Sequence, residues 1–131
     1  TIFLEDNIEW INSMNDGSLK VEHVTYKTLI ENQKDIGFIP EKLELPLSDE
    51  VLNYKYDFII VDAPLGHQPP RPLKGPGRMS SIFMASKLIK KNGIAVIDDM
   101  GRPIERRYAF HFFGQENLIK FIENKVGIFK K

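Results

Sequence analysis

Cysteine is absent from this sequence, and so are a strong net charge and any long apolar run. Without cysteine there are no disulfides, no thiolate metal ligands and no cysteine nucleophile, and the composition fits a reducing compartment such as the cytoplasm. The 18 basic residues balance 18 acidic ones, so no overall field attracts nucleic acid, and we expect no nucleic-acid partner. No apolar run approaches the roughly 20 residues that span a bilayer, so no membrane segment is expected.

The length and composition suit one ordinary domain. With 131 residues, 42% of them hydrophobic, the chain is long enough to bury a core, and we expect a single domain over residues 1–131. The chain begins directly in a strand-like run, TIFLE, with no cap or leader before it. We therefore expect this run to be internal to a longer parent.

Strand-like and helix-like patterns alternate along the chain, which predicts an α/β fold with a doubly wound, mostly parallel sheet. The run FIIV at 58–61 is continuously apolar, as is typical of a parallel strand buried on both faces. Helical spacing over 79–89 predicts a helix that ends at Asn92 and Gly93. The segment that follows repeats the buried-strand pattern.

Local signals predict where other elements begin and end. Asp6 and Glu9 have the spacing of a capping box before the first helix, and Pro103 suits the first turn of the last one. Two apolar runs flank Asn124 and Lys125, which predicts an antiparallel strand pair joined by a hairpin at the C-terminus.

Acidic residues follow three of the predicted strands: Glu5, Asp62, and the pair Asp98 and Asp99. Ligands of open α/β sheets bind beyond the carboxyl ends of the strands, so these carboxylates are expected at one shared crevice. Glu5 can accept the hydroxyls of a cofactor ribose, or it can cap the next helix. Asp62 and Asp99 can bind a hard divalent cation or act as a general base, and the alternative is that Asp98 or Asp99 caps the helix at Pro103.

The loop between Asp62 and Met79 is rich in proline and glycine, which suits a rigid lip that approaches a ligand closely. His67 in this loop can accept a proton or bind a ligand, although it can equally be a solvated side chain. Arg71 and Arg78 can pair with a carboxylate or phosphate through two parallel hydrogen bonds. Arg78 stands at a helix start, and its alternative role is a structural tie to the neighbouring acids.

Six motifs follow one another along almost the whole chain: TIFLED, EHVTYKT, LPLSDEV, YDFIIVDAPLG, PGRMSSIFMAS and VIDDMGRPIE. Together they resemble a plant polysaccharide-biosynthesis family. That family includes glucuronoxylan 4-O-methyltransferases and the irregular-xylem proteins.

The resemblance implies a Rossmann-like class I methyltransferase sheet that uses S-adenosylmethionine, with the first strand and its glycine-rich turn outside the given sequence. It implies methyl transfer to the 4-hydroxyl of glucuronic acid on a xylan-type polysaccharide, in the Golgi lumen if the plant role holds. Glu5 would then hold the donor ribose, and Asp62 would also contact the donor beside the methyl-transfer centre. Asp99 would match the acid after the next strand, and a divalent metal held by Asp62 and Asp99 is compatible with the family.

By the same resemblance Arg78 would bind the uronate carboxylate of the substrate, and we expect Arg71 and His67 to contribute from the loop. Three other functions remain open at this stage. The chain can belong to a non-catalytic binding or scaffold member of the same family, to an O-methyltransferase of another small acidic molecule, or to a metal-dependent phosphotransfer domain that uses the same acids. The sequence leaves the oligomeric state open.

Overall fold

The computed structural model describes residues 1–14, 17–64 and 75–131. Its strands are β1 (Ile2–Glu5), β2 (Lys20–His23), β3 (Tyr56–Val61), β4 (Ile89–Ile97), β5 (Leu118–Ile122) and β6 (Val126–Lys130). Its helices are α1 (Ile8–Met14), α2 (Gln33–Ile36), α3 (Pro40–Leu43), α4 (Asp49–Leu52), α5 (Met79–Leu88) and α6 (Pro103–Phe113), with 3-10 turns at Ile30–Asn32 and Gln115–Asn117. None of the described helices has the length and apolar character needed to cross a membrane.

The strands form two sheets. β1 and β2 pair in parallel, and the larger sheet has the order β3-β4-β6-β5. β3 and β4 are parallel, whereas β6 is antiparallel to both β4 and β5, so β3, β4 and β5 share one direction. This confirms the predicted α/β class, with mostly parallel strands and an antiparallel C-terminal pair, consistent with a Rossmann-like methyltransferase fold. Within the described residues, β1 and β3 each hydrogen-bond to one neighbouring strand only.

One face of the larger sheet carries the core. Ala95 and Ile97 of β4 and Phe129 of β6 are buried together with side chains of α5 and α6. The prediction that β3 is buried on both faces is wrong, because Phe58 is 55% exposed and Ile60 is 61% exposed. These two side chains point away from the core, and the described part of the chain leaves that face largely uncovered.

The junction of α5 and β4 also differs from the prediction. α5 ends at Leu88 and β4 begins at once, instead of a helix continuing toward Asn92 and Gly93. The end of the chain explains the difference, since Asn92 N donates to Lys131 O at 2.6 Å and Lys131 N donates to Gly93 O at 3.1 Å. Pairing with this distant segment draws the lysine-rich stretch into the sheet.

Helix starts follow side-chain chemistry, with one shift. Asn7 caps α1, because its Oδ1 accepts the backbone N–H groups of Glu9 at 2.9 Å and Trp10 at 3.3 Å. The predicted Asp6 capping box is therefore wrong by one residue. α6 begins at Pro103 as predicted, where the missing N–H costs no intrahelical hydrogen bond.

The predicted C-terminal hairpin is confirmed, and its turn packs on the turn that links β4 to α6. Met100 is fully buried there, and its backbone N–H donates to Lys125 O at 2.7 Å. Gly101 lies so close to the hairpin that an added Cβ would sit 2.6 Å from Asn124 O. A Cβ on Gly127 would overlap the Met100 sulfur. These contacts fix the turn that carries Asp98 and Asp99.

Candidate active site

Three carboxylates and one arginine meet at the carboxyl ends of β3 and β4. Asp62 follows β3, and Asp98 and Asp99 follow β4, so parallel pairing brings all three to one rim. Arg78 precedes α5, and its Nη2 lies 3.3 Å from Asp62 Oδ1 and 2.8 Å from Asp99 Oδ2. Its Nη1 lies 3.5 Å from Asp98 Oδ2. We call these four residues the acidic rim.

Asp98 and Asp99 both reach the same arginine although they are adjacent in sequence. Side chains alternate across a strand, but β4 ends at Ile97, before this pair. Asp98 N still donates to Val61 O at 2.9 Å, and Asp99 then turns with a φ of 59°. The change to the left-handed region brings the Asp99 carboxylate back toward the same guanidinium.

Arg78 and Asp62 differ most in exposure. The Arg78 side chain is 6% exposed, whereas that of Asp62 is 72% exposed. The Arg78 Nε donates to Pro64 O at 3.2 Å, so the guanidinium is held by a carbonyl as well as by the three acids. A buried cation needs such partners to offset the loss of hydration. Arg78 is therefore committed to protein groups, and Asp62 is the acid of the rim that faces solvent.

The pKa values of Asp62 and Asp98 are shifted in opposite directions. Partial burial, and next the hydrogen bond with Asp98, raise the pKa of Asp62, while Arg78 opposes both. Because the Asp62 side chain is largely open, we take the contact with Asp98 as the main cause of the raised pKa. Burial also acts against charge on Asp98, yet the Asp99 backbone N–H, Asp62, Lys125 and Arg78 together lower the pKa of Asp98. Of these two acids, Asp62 therefore has the higher affinity for a proton.

A second arginine extends the acidic rim toward α6. Arg102 Nη2 lies 2.9 Å from Asp99 Oδ2, so this oxygen receives two guanidinium groups. Arg102 Nη1 lies 3.8 Å from Oε1 of Glu105, a residue that is 2% exposed. Burial raises the pKa of Glu105. Alternating charges thus run from Glu105 through Arg102 and Asp99 to Arg78.

A separate cleft of about 300 Å³ opens beside the carboxyl ends of β1 and β2. Glu5 ends β1, and its Oε1 accepts the Asn7 backbone N–H at 2.9 Å, which is the local contact expected of a capping acid. The neighbouring Asp6 lines the cleft, and burial raises the pKa of Asp6. The other lining residues are His23, Val24, Thr25, Tyr26, Thr28, Leu29 and Pro76. We call this space the β1–β2 cleft.

Tyr26 connects the cleft to α5, the helix that follows Arg78 of the acidic rim. It lines the cleft, and its hydroxyl lies 2.8 Å from the Ser81 hydroxyl of α5. Burial raises the pKa of Tyr26 to about 12, and charges on both sides also act on it, those of Asp6 and Glu5 and that of Arg78. Acids of β1 and the arginine of the rim are thus within electrostatic range of one phenol.

Two predicted substrate-binding residues, His67 and Arg71, lie outside the described residues. The flanking positions are well anchored. Pro64 accepts a hydrogen bond from Arg78, as given above, and Pro76 O accepts one from Thr28 Oγ1 at 2.9 Å. The loop therefore leaves the acidic rim and returns beside the β1–β2 cleft.

The acidic rim does not fit the divalent metal predicted for Asp62 and Asp99. Oδ2 of Asp99 already receives both Arg78 and Arg102, and Asp62 Oδ1 accepts a hydrogen bond from Arg78 at 3.3 Å. Across 1–14, 17–64 and 75–131, no group of three or more histidine or acidic side chains is arranged to hold a metal ion. The carboxylates are paired with guanidinium groups and are not arranged as metal ligands.

Sequence reasoning missed four residues of this region: Tyr26, Ser81, Glu105 and Lys125. Tyr26 follows β2, so the rule that placed Asp62 at a strand end could have included it. Glu105 lies three residues after Arg102, a spacing that puts the two side chains together at a helix start. No local signal identifies Ser81 or Lys125, because their contacts depend on how distant elements pack.

The chain is similar to one protein family and to several plant O-methyltransferases. A family model described as IRX15/IRX15L/GXM matches residues 36–129. Arabinogalactan O-methyltransferase 2 of Arabidopsis thaliana is 30% identical over 97% of this chain and 50% of its own length. Glucuronoxylan 4-O-methyltransferase 3 of the same plant is 28% identical over 86% of the chain and 44% of its own length.

A third similar protein is not named as a methyltransferase. Protein IRREGULAR XYLEM 15 of Arabidopsis thaliana is 38% identical over 56% of this chain and 24% of its own length. The chain spans about half the length of the curated methyltransferases that it matches.

Proposed function

Because the chain belongs to the IRX15/IRX15L/GXM family, we propose that it forms part of an S-adenosylmethionine-dependent O-methyltransferase that acts on a sugar acid. The proposed acceptor is the 4-hydroxyl of glucuronic acid in a xylan-type polysaccharide. The observation that supports this most is the acidic rim, in which one open carboxyl, Asp62, is held by a buried arginine. The names of the similar proteins support polysaccharide methylation as the reaction class.

The β1–β2 cleft is the proposed place for part of the methyl donor. Its volume of about 300 Å³ lies at the lower end of the range of small-molecule sites. Glu5, at the end of β1, is the residue proposed to accept the ribose hydroxyls, in exchange for its contact with Asn7. The open edges of β1 and β3 support a donor site that is completed by a further strand and its glycine-rich turn.

S-adenosylmethionine, when bound, would supply an electrophilic methyl group to the acceptor oxygen. The protein then has to orient the acceptor and remove its hydroxyl proton. Asp62 is the proposed general base, because it is the open carboxyl of the rim and its raised pKa increases its affinity for that proton. Arg78 holds Asp62 in place, so that Asp62 would take and keep the acceptor's proton while the methyl group passes from the donor sulfur to the acceptor oxygen.

Of the residues proposed to bind the substrate, Arg78 already has partners in the structure. Arg78 is buried among its acids, so binding a uronate would require it to exchange one of its present partners. The exchange would be easiest at Nη1, because this atom makes no hydrogen bond and lies 3.5 Å from Asp98 Oδ2. Arg71 and His67 stay predictions for the same sugar acid.

Replacing Asp62 by Asn tests the proposed base in the full protein. Asp62→Asn removes the proton acceptor while keeping the shape, so methyl transfer from labelled donor to glucuronoxylan oligosaccharides should fall about 100-fold or more. Asp57→Asn is the matched control, because Asp57 is an exposed acid at the other end of β3, paired with Lys90. Equal activity of the two variants would eliminate Asp62 as the base.

A second function in the same family is a non-catalytic binding or scaffold role in polysaccharide synthesis. The name of Protein IRREGULAR XYLEM 15, which is 38% identical over 56% of the chain, specifies no transferase activity, and this favours keeping the second function. Calorimetry of S-adenosylmethionine with the full protein separates the two, since a scaffold need not bind the donor. An acceptor screen with labelled donor would then distinguish the polysaccharide from another small acidic molecule.

A further inference from the structure

The hairpin turn between β5 and β6 lies at the same rim as the candidate base. β5 runs in the direction of β4, because both are antiparallel to β6. The carboxyl ends of β5 and β4 therefore lie at the same edge of the sheet, and Lys125 O accepts the Met100 N–H at 2.7 Å. The backbone of Lys125 is thus fixed beside Asp98 and Asp99.

Among the residues that the structure describes, three cations contact the acids of this rim, and they differ in exposure. The side chain of Arg78 is 6% exposed and that of Arg102 is 18% exposed, whereas that of Lys125 is 60% exposed. Each arginine lies within 2.9 Å of Asp99 Oδ2. Lys125 Nζ lies 3.6 Å from Asp98 Oδ1, which is beyond hydrogen-bond distance. Of these three cations, Lys125 can therefore bind another anion with the smallest loss of existing contacts.

We propose that Lys125 binds the carboxylate of the acidic acceptor sugar and so selects charged over neutral acceptors. The inference rests on the proposed function and adds a specificity residue to it. Asp98 lies 3.6 Å from the Lys125 ammonium and pairs with the same arginine, Arg78, as Asp62, so the lysine and the candidate base lie at one rim. In a hexuronic acid the carboxyl group is attached to C5, next to C4. A uronate held by Lys125 would bring its 4-hydroxyl, the ring hydroxyl nearest to the carboxylate, to the rim that carries Asp62.

Lysine suits this task because its ammonium is a compact charge on a flexible stem. An exposed charge at the edge of a site discriminates between charged and neutral ligands and adds a modest amount to affinity. The weak pair with Asp98 keeps the Lys125 side chain at the rim when no ligand is bound.

The test compares two acceptors that differ only in charge. A glucuronic-acid-bearing xylo-oligosaccharide and its carboxyl-reduced form are titrated into the full protein, and binding is followed by NMR. Lys125→Ala should reduce the preference for the acidic acceptor by about tenfold, and Lys125→Arg should restore most of it. Lys130→Ala is the matched control, because Lys130 is an exposed lysine at the other end of β6. Melting curves verify that each variant is folded.

The results separate this inference from the proposed function. An unchanged preference in Lys125→Ala, or an equal loss in Lys130→Ala, would overturn the role of Lys125. Failure of the wild-type protein to bind either oligosaccharide would also overturn it. If the wild type binds the acidic acceptor through Lys125 but transfers no methyl group, the methyltransferase proposal fails and the lysine assignment stands.

Discussion

The acidic rim and the β1–β2 cleft both lie at carboxyl ends of parallel strands, yet they are built differently. In the rim, Asp99 is held by two arginines, and Arg78 is buried among three acids. In the cleft, no ion pair holds Glu5 or Asp6 within the described part of the chain, and about 300 Å³ of space remains. The rim is therefore fixed by the protein's own charges, whereas the acids beside the cleft are not committed to a cation of the described residues.

This contrast has a physical basis. Like charges a few ångströms apart repel unless a cation lies between them, so three acids at one rim need Arg78 to keep their geometry. A site that exchanges a ligand gains from the opposite arrangement, because groups already paired would first have to be released. The four experiments that follow probe the contrast, beginning with the change of largest expected effect.

Removing Arg78 should damage the rim and leave the cleft intact. Arg78→Ala leaves Asp98 and Asp99 partly buried without their shared cation, so we expect a loss of about 3 kcal/mol in the free energy of unfolding. Urea denaturation measures it. Arg107→Ala is the control, because that exposed arginine of α6 bonds to Gln33 at the surface. A loss equal to that of the control would show that the acids do not depend on Arg78.

Gly101 tests whether the hairpin holds the rim in position. Gly101→Ala places a methyl group 2.6 Å from Asn124 O, which is backbone and cannot rotate away. We expect a loss of about 2 kcal/mol of stability, together with shifted NMR resonances of Asp98 and Asp99. Normal stability and unshifted resonances in this variant would mean that the hairpin does not constrain the turn.

Tyr26 tests the connection between the two regions. Tyr26→Phe removes the hydroxyl that lies 2.8 Å from Ser81, so we expect a loss of about 1 kcal/mol, seen by urea denaturation. Tyr54→Phe is the matched control, because Tyr54 is 56% exposed. If the two variants lose the same stability, the bond between the cleft and α5 contributes nothing measurable.

Glu105 should give the smallest effect, and a pH-dependent one. Burial raises its pKa above the ordinary 4.5, so the folded state binds the proton more tightly than the unfolded state. This contribution to stability is present below pH 4.5 and is lost as pH rises through the folded pKa. As pH rises through that window, the unfolding free energy of Glu105→Gln should therefore fall less than that of the wild type. The difference between the two proteins should be less than about 1 kcal/mol.

The measurement is the unfolding free energy at a series of pH values for both proteins. Glu41→Gln, on the exposed surface of α3, is the control and should follow the wild-type curve. Parallel curves for wild type and Glu105→Gln would show that Glu105 titrates alike in the folded and unfolded states.

Local pattern was enough to predict several features of the fold. Pro103 starts α6, the hairpin turns around Asn124 and Lys125, and β3 and β4 run parallel. These features depend on backbone chemistry and on neighbours in sequence. The meeting of Asp62 and Asp99 followed from the parallel direction alone, since it requires only that both strands end at the same edge of the sheet.

Other features could not be predicted because they depend on distant partners. The apolar run of β3 did not reveal that Phe58 and Ile60 would be exposed, since hydropathy does not report which face a helix covers. The predicted continuation of α5 was overruled by pairing with the end of the chain, at Asn92 and Gly93. Such contacts join residues that are far apart in sequence and carry no periodic signal.

The order of residues along the chain was sufficient to specify the α/β class, the family motifs and the identity of the acids that end each strand, because these follow from local propensity and spacing. Packing alone settled how those acids are used. It buried Arg78 among three carboxylates, left Asp62 open and brought Lys125 to the same rim. Burial and ion pairing arise only when separate elements meet, and they control which charged group is free to bind.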